Sequence, residues 1–401
     1  MNVVISQEHR FDRTPDGAIW TTAAFPRSYY SQYLEVFESA KIVARVRDVS
    51  SPPAGAKRAD GDGVSFHVVP HYIGPEQFLL RFPEVRRATR SAVKRPDAVI
   101  LRVQSQVAAT MEPMLHRSRR PYALEVMCDP YQMFAPGAND HPLRFFFQTM
   151  FYRQMKKQCR RAPAVSYVTE DSLQKIYPHA PNAFSISYST VEMPPEAYVP
   201  ESRSVSSRSG PHTIITVGSL DQPYKGIDVL IDAVEASIAA GCDLKLVVVG
   251  DGKYRPSLEA RAKRLEDRVR FLGQISSGAE VRAHLDQADV FVLPSRTEGL
   301  PRAMIEAMAR ALPCIGSTVG GIPELLTPQD LVTPGNARAL GNKIREVIQS
   351  PERMSAMSAR NLEKSQKYRD EILRRRRNRF FLHLKEATEL WLRQTAQDRL
   401  S

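Results

Sequence analysis

Apolar residues along this chain come in two patterns: short β-branched runs, and longer stretches where they recur with a helical period. The first pattern predicts buried strands and the second amphipathic helices. In the second half of the chain, strands are expected at Thr213–Val217, Lys245–Val249, Val269–Leu272, Asp289–Leu293 and Cys314–Ser317. Helices are expected between them at Ile227–Ala240, Pro256–Leu265, Glu280–Gln287 and Ala303–Leu312, the last stopped by Pro313. Such alternation is a βαβ series and predicts a parallel, doubly wound sheet, which binds ligands at the carboxyl ends of its strands.

The first half repeats the theme less regularly. Strands are expected at Val3–Ser6, Ile42–Val46, Val64–Val69, Ala98–Val103, Tyr122–Met127 and Ala164–Val168. Helices are expected at Tyr29–Ser39, Phe82–Lys94 and Leu143–Arg160. Glu201–Gly210 is small, polar and aperiodic, and reads as a linker. Phe380, Leu384, Ala387 and Trp391 mark a helix over Phe380–Arg393 that needs a surface to cover. The expected class is α/β, with two Rossmann-like doubly wound domains facing across a cleft. The first would span 1–200, joined by a C-terminal helix over 378–401, and the second 211–377.

A length of 401 residues suits two domains of roughly 200. No apolar run approaches the roughly 20 residues that span a membrane. The first residues, Met1 to Glu8, turn polar at once and read as lacking a secretory signal. Cys128, Cys159, Cys242 and Cys314 show neither disulfide nor zinc spacing, so a cytoplasmic protein with reduced thiols and no structural metal is expected. The net charge of +12 asks for an acidic partner. No nucleic-acid motif accompanies it, so nucleic acid is not expected. Leu143–Arg161 is basic and aromatic without a single acid, which suits either an anionic membrane surface or packing on a sheet with the charges in water. Arg374–Arg377 is a second basic run open to the same two readings. Both raise peripheral attachment to the inner face of the cytoplasmic membrane as an expectation.

The chemistry concentrates at predicted strand ends. Glu298 stands in a strand-to-helix loop and Glu306 two turns into the following helix, roughly 12 Å apart at 1.5 Å rise per residue. The helix start between them, with Gly299, Leu300 and Pro301, offers free N–H groups and a positive dipole end to a phosphate. Hydroxyls at both ends with phosphate between them describe a nucleotide sugar. Gly218-Ser219 and Lys225-Gly226 follow the first strand of this half, Lys225 being placed to neutralise a diphosphate leaving group. Gly250-Asp251-Gly252 and Gly320-Gly321-Ile322-Pro323-Glu324 follow two more strands and could line the same cleft. Asp60-Gly61-Asp62 matches a metal-binding pattern but lies in a polar turn far from these motifs, and reads as a turn.

In order and spacing, Gly218 to Glu324 resembles the retaining, nucleotide-sugar-dependent glycosyltransferases of family 4, which have the two-Rossmann-domain GT-B fold. The resemblance implies that Glu298 holds the donor sugar, Glu306 accepts from the ribose hydroxyls and Lys225 pairs with the diphosphate. It implies backbone reading of the base around Gly273 to Ile275, and phosphate support from the Gly299 and Leu300 amides. It also implies no metal or other cofactor. Gly218, Ser219 and Gly250 complete the implied donor site; the family often has Arg where Ser219 stands. That leaves the diphosphate one charge short unless Arg296, Arg302 or an N-terminal arginine substitutes. The N-terminal half resembles the family loosely, close to enzymes of exopolysaccharide and cell-envelope glycans. Its acceptor-side candidates are Asp16, Gly17, Arg102 and Asp129. A nucleotide-sugar epimerase on the same scaffold and a non-catalytic nucleotide-sugar or lipid-binding module are the rival readings.

Overall fold

In the computed structural model, which describes residues 1–22, 25–134, 141–206, 210–275 and 278–398, the strands gather into two sheets. The nine-stranded sheet runs Val64–Pro70, Ala40–Asp48, Val3–Arg13, Ala98–Val103, Ala123–Val126, Ala164–Tyr167 and Phe184–Ser187, all parallel. Ile19–Thr21 and Lys57–Arg58 extend it antiparallel from the end of Val3–Arg13. The six-stranded sheet is wholly parallel, in the order Val269–Gly273, Leu244–Val249, His212–Val217, Val290–Leu293, Cys314–Ser317, Leu331–Val332. Its strands are buried on both faces by helices, which is why they read as continuous apolar runs. Strand order reverses between His212–Val217 and Val290–Leu293, and that crevice is where an open α/β sheet binds its ligand.

Several elements differ from the sequence pattern. The helix expected over Tyr29–Ser39 is one turn, Arg27–Tyr30, followed by the 3₁₀ turn Ser31–Tyr33. Tyr33 and Phe37 are fully buried against Phe381, so their apolar spacing records tertiary packing rather than a helix period. The helix at Arg302 ends at Ala309, because Ala311 takes a left-handed conformation. Unexpected helices are Gln106–Arg117, whose pattern Pro113 interrupts, Ala337–Ile348 and Pro351–Ser365.

The C-terminal helix starts at Asp370, ten residues before its apolar repeat, and runs to Gln397; residues 399–401 lie outside the described residues. It returns to the first sheet, where Phe380, Phe381 and Leu384 are buried. Its early arginines are spent on this docking: Arg374 and Arg377 pair with Glu35, and Arg376 with Glu170. Three of the four arginines of the run Arg374–Arg377 thus serve as structural ties to the first half, although Arg374 stays 64% exposed. The expected linker is also held in place. The Arg203 guanidinium donates to the carbonyls of Arg310, Ala288 and Leu285, while its amide donates to Ser358; residues 207–209 lie outside the described residues.

Candidate donor site

Three adjacent strands of the second sheet end in glycine, and these residues touch without side chains. A Cβ on Gly250 would lie 1.9 Å from the Gly218 carbonyl oxygen, and the Gly250 amide donates to the Gly273 carbonyl at 2.9 Å. Only glycine permits this stack, which makes a backbone floor beside the switch point. The stem of Lys225 lies across Gly218, its Cε 3.1 Å from where a Cβ would be. Gly226, at φ +69°, lets the loop press on the Pro294 carbonyl, which fixes Lys225 against the next strand end.

Lys225 Nζ donates to Glu298 Oε1 at 2.6 Å, and Ser295 Oγ donates to the same oxygen at 2.7 Å. The side chains are only 14% and 9% exposed. Burial, the largest single influence, pulls the Lys225 ammonium down, but the Glu298 charge, Tyr224 and the hydrogen bond to Glu298 together leave the amine above its ordinary value. Ser317 in turn donates to the Ser295 carbonyl, so the next strand braces the loop. Arg296 is committed elsewhere: its two terminal nitrogens bind Asp228 at 2.9 and 2.7 Å. Burial would raise the Asp228 carboxyl, yet Arg296 holds it below its ordinary value.

Helix Arg302–Ala309 begins beside this pair. Among the described residues, the Gly299 and Leu300 amides donate to no backbone acceptor, and they stand where a phosphate would meet the helix start. Leu300 packs inward against Gly321. Glu306 is pushed above its ordinary range by burial, against the opposing charges of Arg302 and Arg282, and no hydrogen bond contributes. Ser219 is exposed and its hydroxyl is bound to Asp221. Ile275, partly buried, follows Gly273 at the rim of the glycine floor.

The Gly320–Glu324 motif does not line the cleft with side chains, as the sequence suggested, but joins the two halves. Gly320 packs on the Glu298 carbonyl, and the Gly321 amide donates to the Gly299 carbonyl at 2.6 Å. The Glu324 carboxylate then accepts from the amides of Glu170, Asp171 and Ser172 in the other half, at 2.6, 3.0 and 2.5 Å. Gly299 abuts the Met127 carbonyl, with room for no Cβ. These contacts seat the Glu298 loop directly on the first sheet.

The acceptor-side candidates do not converge. Asp16 and Gly17 form an exposed hairpin turn in which Asp16 accepts from Thr14 and Ala18. Arg102 is buried, paired with Glu125 at 3.1 Å beneath the rings of Phe25 and Tyr29. Asp129 is buried as the cap of helix Pro130–Met133 and also accepts from Tyr177. Both side chains are thus buried and held by partners within the first half. Asp60 accepts from Ile19 and pairs with Arg58, which ties a turn. Sequence reasoning did not single out Tyr29, whose ring lies 5.2 Å from the Arg102 guanidinium and edge-on to Phe25 and Tyr30. The Tyr29-Tyr30 pair was visible in the sequence, but only the fold brings Arg102 to it.

Two Rossmann-type sheets, with a lysine–carboxylate pair and a free helix start at the switch point of the second, make up the two-domain GT-B architecture. Residues 211–350 match the model of the family described as glycosyl transferases group 1. It is 25% identical over 358 residues to protein CapJ of Staphylococcus aureus, covering 87% of this chain and 89% of CapJ. It is 36% identical over 155 residues to a Corynebacterium glutamicum GDP-mannose-dependent phosphatidylinositol monomannoside mannosyltransferase. That match spans 36% of this chain and 40% of the relative. With the amylovoran biosynthesis glycosyltransferase AmsK of Erwinia amylovora it shares 35% over 141 residues, 32% and 34% of the two chains. Among solved structures, sucrose-phosphate synthase of Thermosynechococcus elongatus superposes with TM-score 0.70 at 18% identity, covering 96% of this chain and all of that one. Anabaena HepE in complex with UDP-glucose superposes with TM-score 0.62 at 17% identity, over 97% and 99%. None of these relatives supports the epimerase or the non-catalytic reading.

Proposed function

We propose that this glycosyltransferase moves a hexose from a nucleoside diphosphate to a hydroxyl of a glycan or lipid-linked glycan, with retention at the anomeric carbon. The Lys225–Glu298 pair on the glycine floor carries this reading. As the bond from the anomeric carbon to the diphosphate breaks, negative charge gathers on the leaving oxygen. Lys225 and the amides at the start of helix Arg302–Ala309 stabilise it, and no metal is needed for that step. Glu298, held by Lys225 and Ser295, is set to accept from sugar hydroxyls rather than to attack carbon. Retention then follows from attack on the face the diphosphate leaves, with the acceptor proton passing to the departing phosphate oxygen. Glu306 would receive the ribose hydroxyls.

Polysaccharide or cell-envelope glycan synthesis is the setting that the names of AmsK and the mannosyltransferase favour. Attachment to the inner face of the cytoplasmic membrane is supported by the start of helix Arg144–Arg161. There Leu143, Phe145 and Phe146 are 57%, 63% and 61% exposed beside Arg144 and ahead of Arg153, Lys156 and Lys157. No helix among the described residues is long and apolar enough to cross a membrane. The test of the donor assignment is thermal shift of the purified protein with UDP, GDP, ADP and their common sugar conjugates. Stabilisation by one nucleotide class that is lost in Lys225→Ala supports it, and no shift with any of them removes it.

A further inference from the structure

Resting on the donor reading above, we infer that Arg302 is the second cation of the diphosphate site, standing in for the charge that Ser219 lacks. The charge balance of the cleft favours one. Lys225 is already paired with Glu298, and Glu306 adds another carboxylate two turns along. The helix start supplies about half a positive charge. With Lys225 offset by Glu298, and Glu306 opposed by Arg282 as well as Arg302, a free Arg302 is what leaves the site net positive toward a diphosphate.

The neighbouring cations differ in what holds them. Arg296 is bound through both terminal nitrogens to Asp228, and Arg255 is divided between Asp251 and Glu259. Arg302 is the first residue of its helix, four residues beyond Glu298 and four before Glu306, so it stands over the same helix face as Glu306. It is exposed, and no ion pair or hydrogen bond holds its guanidinium among the described residues. Its charge is felt by Lys225, by Glu306 and, from the first half, by Tyr29. Arg302 shares its helix start with the Gly299 and Leu300 amides and stands between Glu298 and Glu306 in sequence, so its side chain can reach a phosphate bound there. Tyr29 is itself backed by Arg102, whose guanidinium lies 5.2 Å from its ring centre.

Titration calorimetry with UDP, GDP and ADP, each against its monophosphate, tests this in wild type, R302Q, R302K and the double variant S219R/R302Q. The diphosphate-to-monophosphate affinity ratio should fall at least tenfold in R302Q and less in R302K. It should recover in S219R/R302Q, because Ser219 is exposed on the neighbouring strand end and a charge there can reach the same phosphate. An unchanged ratio in a folded R302Q, or no recovery in the double variant, overturns the inference while wild-type binding preserves the donor reading. Failure of wild type to bind any diphosphate overturns both.

Discussion

Lys225 Nζ and Glu298 Oε1 lie 2.6 Å apart although 73 residues separate them in the chain. The pair exists because the strands preceding the two residues, His212–Val217 and Val290–Leu293, are neighbours in the sheet. Both loops therefore leave the same edge of the sheet, and Gly226 against the Pro294 carbonyl locks one to the other.

Removing one member should do more damage to stability than removing both. Glu298→Ala leaves a buried ammonium unpaired and should cost about 3–5 kcal/mol, whereas K225M/E298L should recover much of that. Each single variant should reduce transfer about 10²–10³-fold, and the double variant should stay inactive. Urea unfolding alongside a sugar-transfer assay separates the effects; a stable, fully active Glu298→Ala would remove the pair from the mechanism.

Glu306 pits function against stability. Its carboxyl titrates above the ordinary 4.5 in the folded chain, so the folded state holds the proton more tightly than the unfolded one. That contribution is fully present below pH 4.5 and is lost as pH rises through the folded value. Glu306→Gln should raise the melting temperature at pH 7–8, make little difference near pH 4, and weaken donor binding. A melting temperature unchanged or lowered at pH 8 contradicts the burial argument.

Glu324 ties the halves with three amide hydrogen bonds. Its replacement by Ala should cost about 2–4 kcal/mol, because charged acceptors at a helix start are among the stronger hydrogen bonds. Amide exchange should rise at residues 170–172 and in the Glu298 loop, and kcat should fall without direct loss of a donor contact. Exchange confined to residues 170–172 would show that the tie does not reach the loop.

Gly299→Ala adds a methyl where the Met127 carbonyl would lie 2.3 Å away. Backbone cannot yield as a side chain can, so the halves must shift apart. Transfer should drop about tenfold or more, consistent with the sensitivity of catalysis to misplacement of about 1 Å. Retention of full activity would mean the two halves tolerate separation here.

The two basic segments should behave differently on lipid. F145S/F146S should reduce flotation with anionic vesicles, and R374Q/R377Q should leave it unchanged while lowering the melting temperature, since those arginines hold Glu35. Equal flotation of F145S/F146S and wild type argues against attachment through this helix.

The sequence by itself determined the second sheet almost strand for strand. Parallel strands buried on both faces are apolar throughout, so Cys314–Ser317 or Leu244–Val249 is recognisable without its neighbours. It also set Lys225, Glu298 and Glu306 at fixed offsets from those strands, and the fold brings Lys225 and Glu298 together. The first half was less legible. Tyr33 and Phe37 imitate a helix while serving the return of Phe381 from residue 381 of the chain, and no local window contains that partner. The state of each charge was decided only by tertiary structure. Arg374, Arg296 and Arg302 look alike in sequence, yet the first holds Glu35, the second holds Asp228 and the third is exposed at a helix start. Glu324 likewise caps a helix more than a hundred residues away. A hydrogen bond or ion pair depends on groups meeting within about 3–4 Å, and which groups meet is set by how the sheets dock rather than by the local pattern.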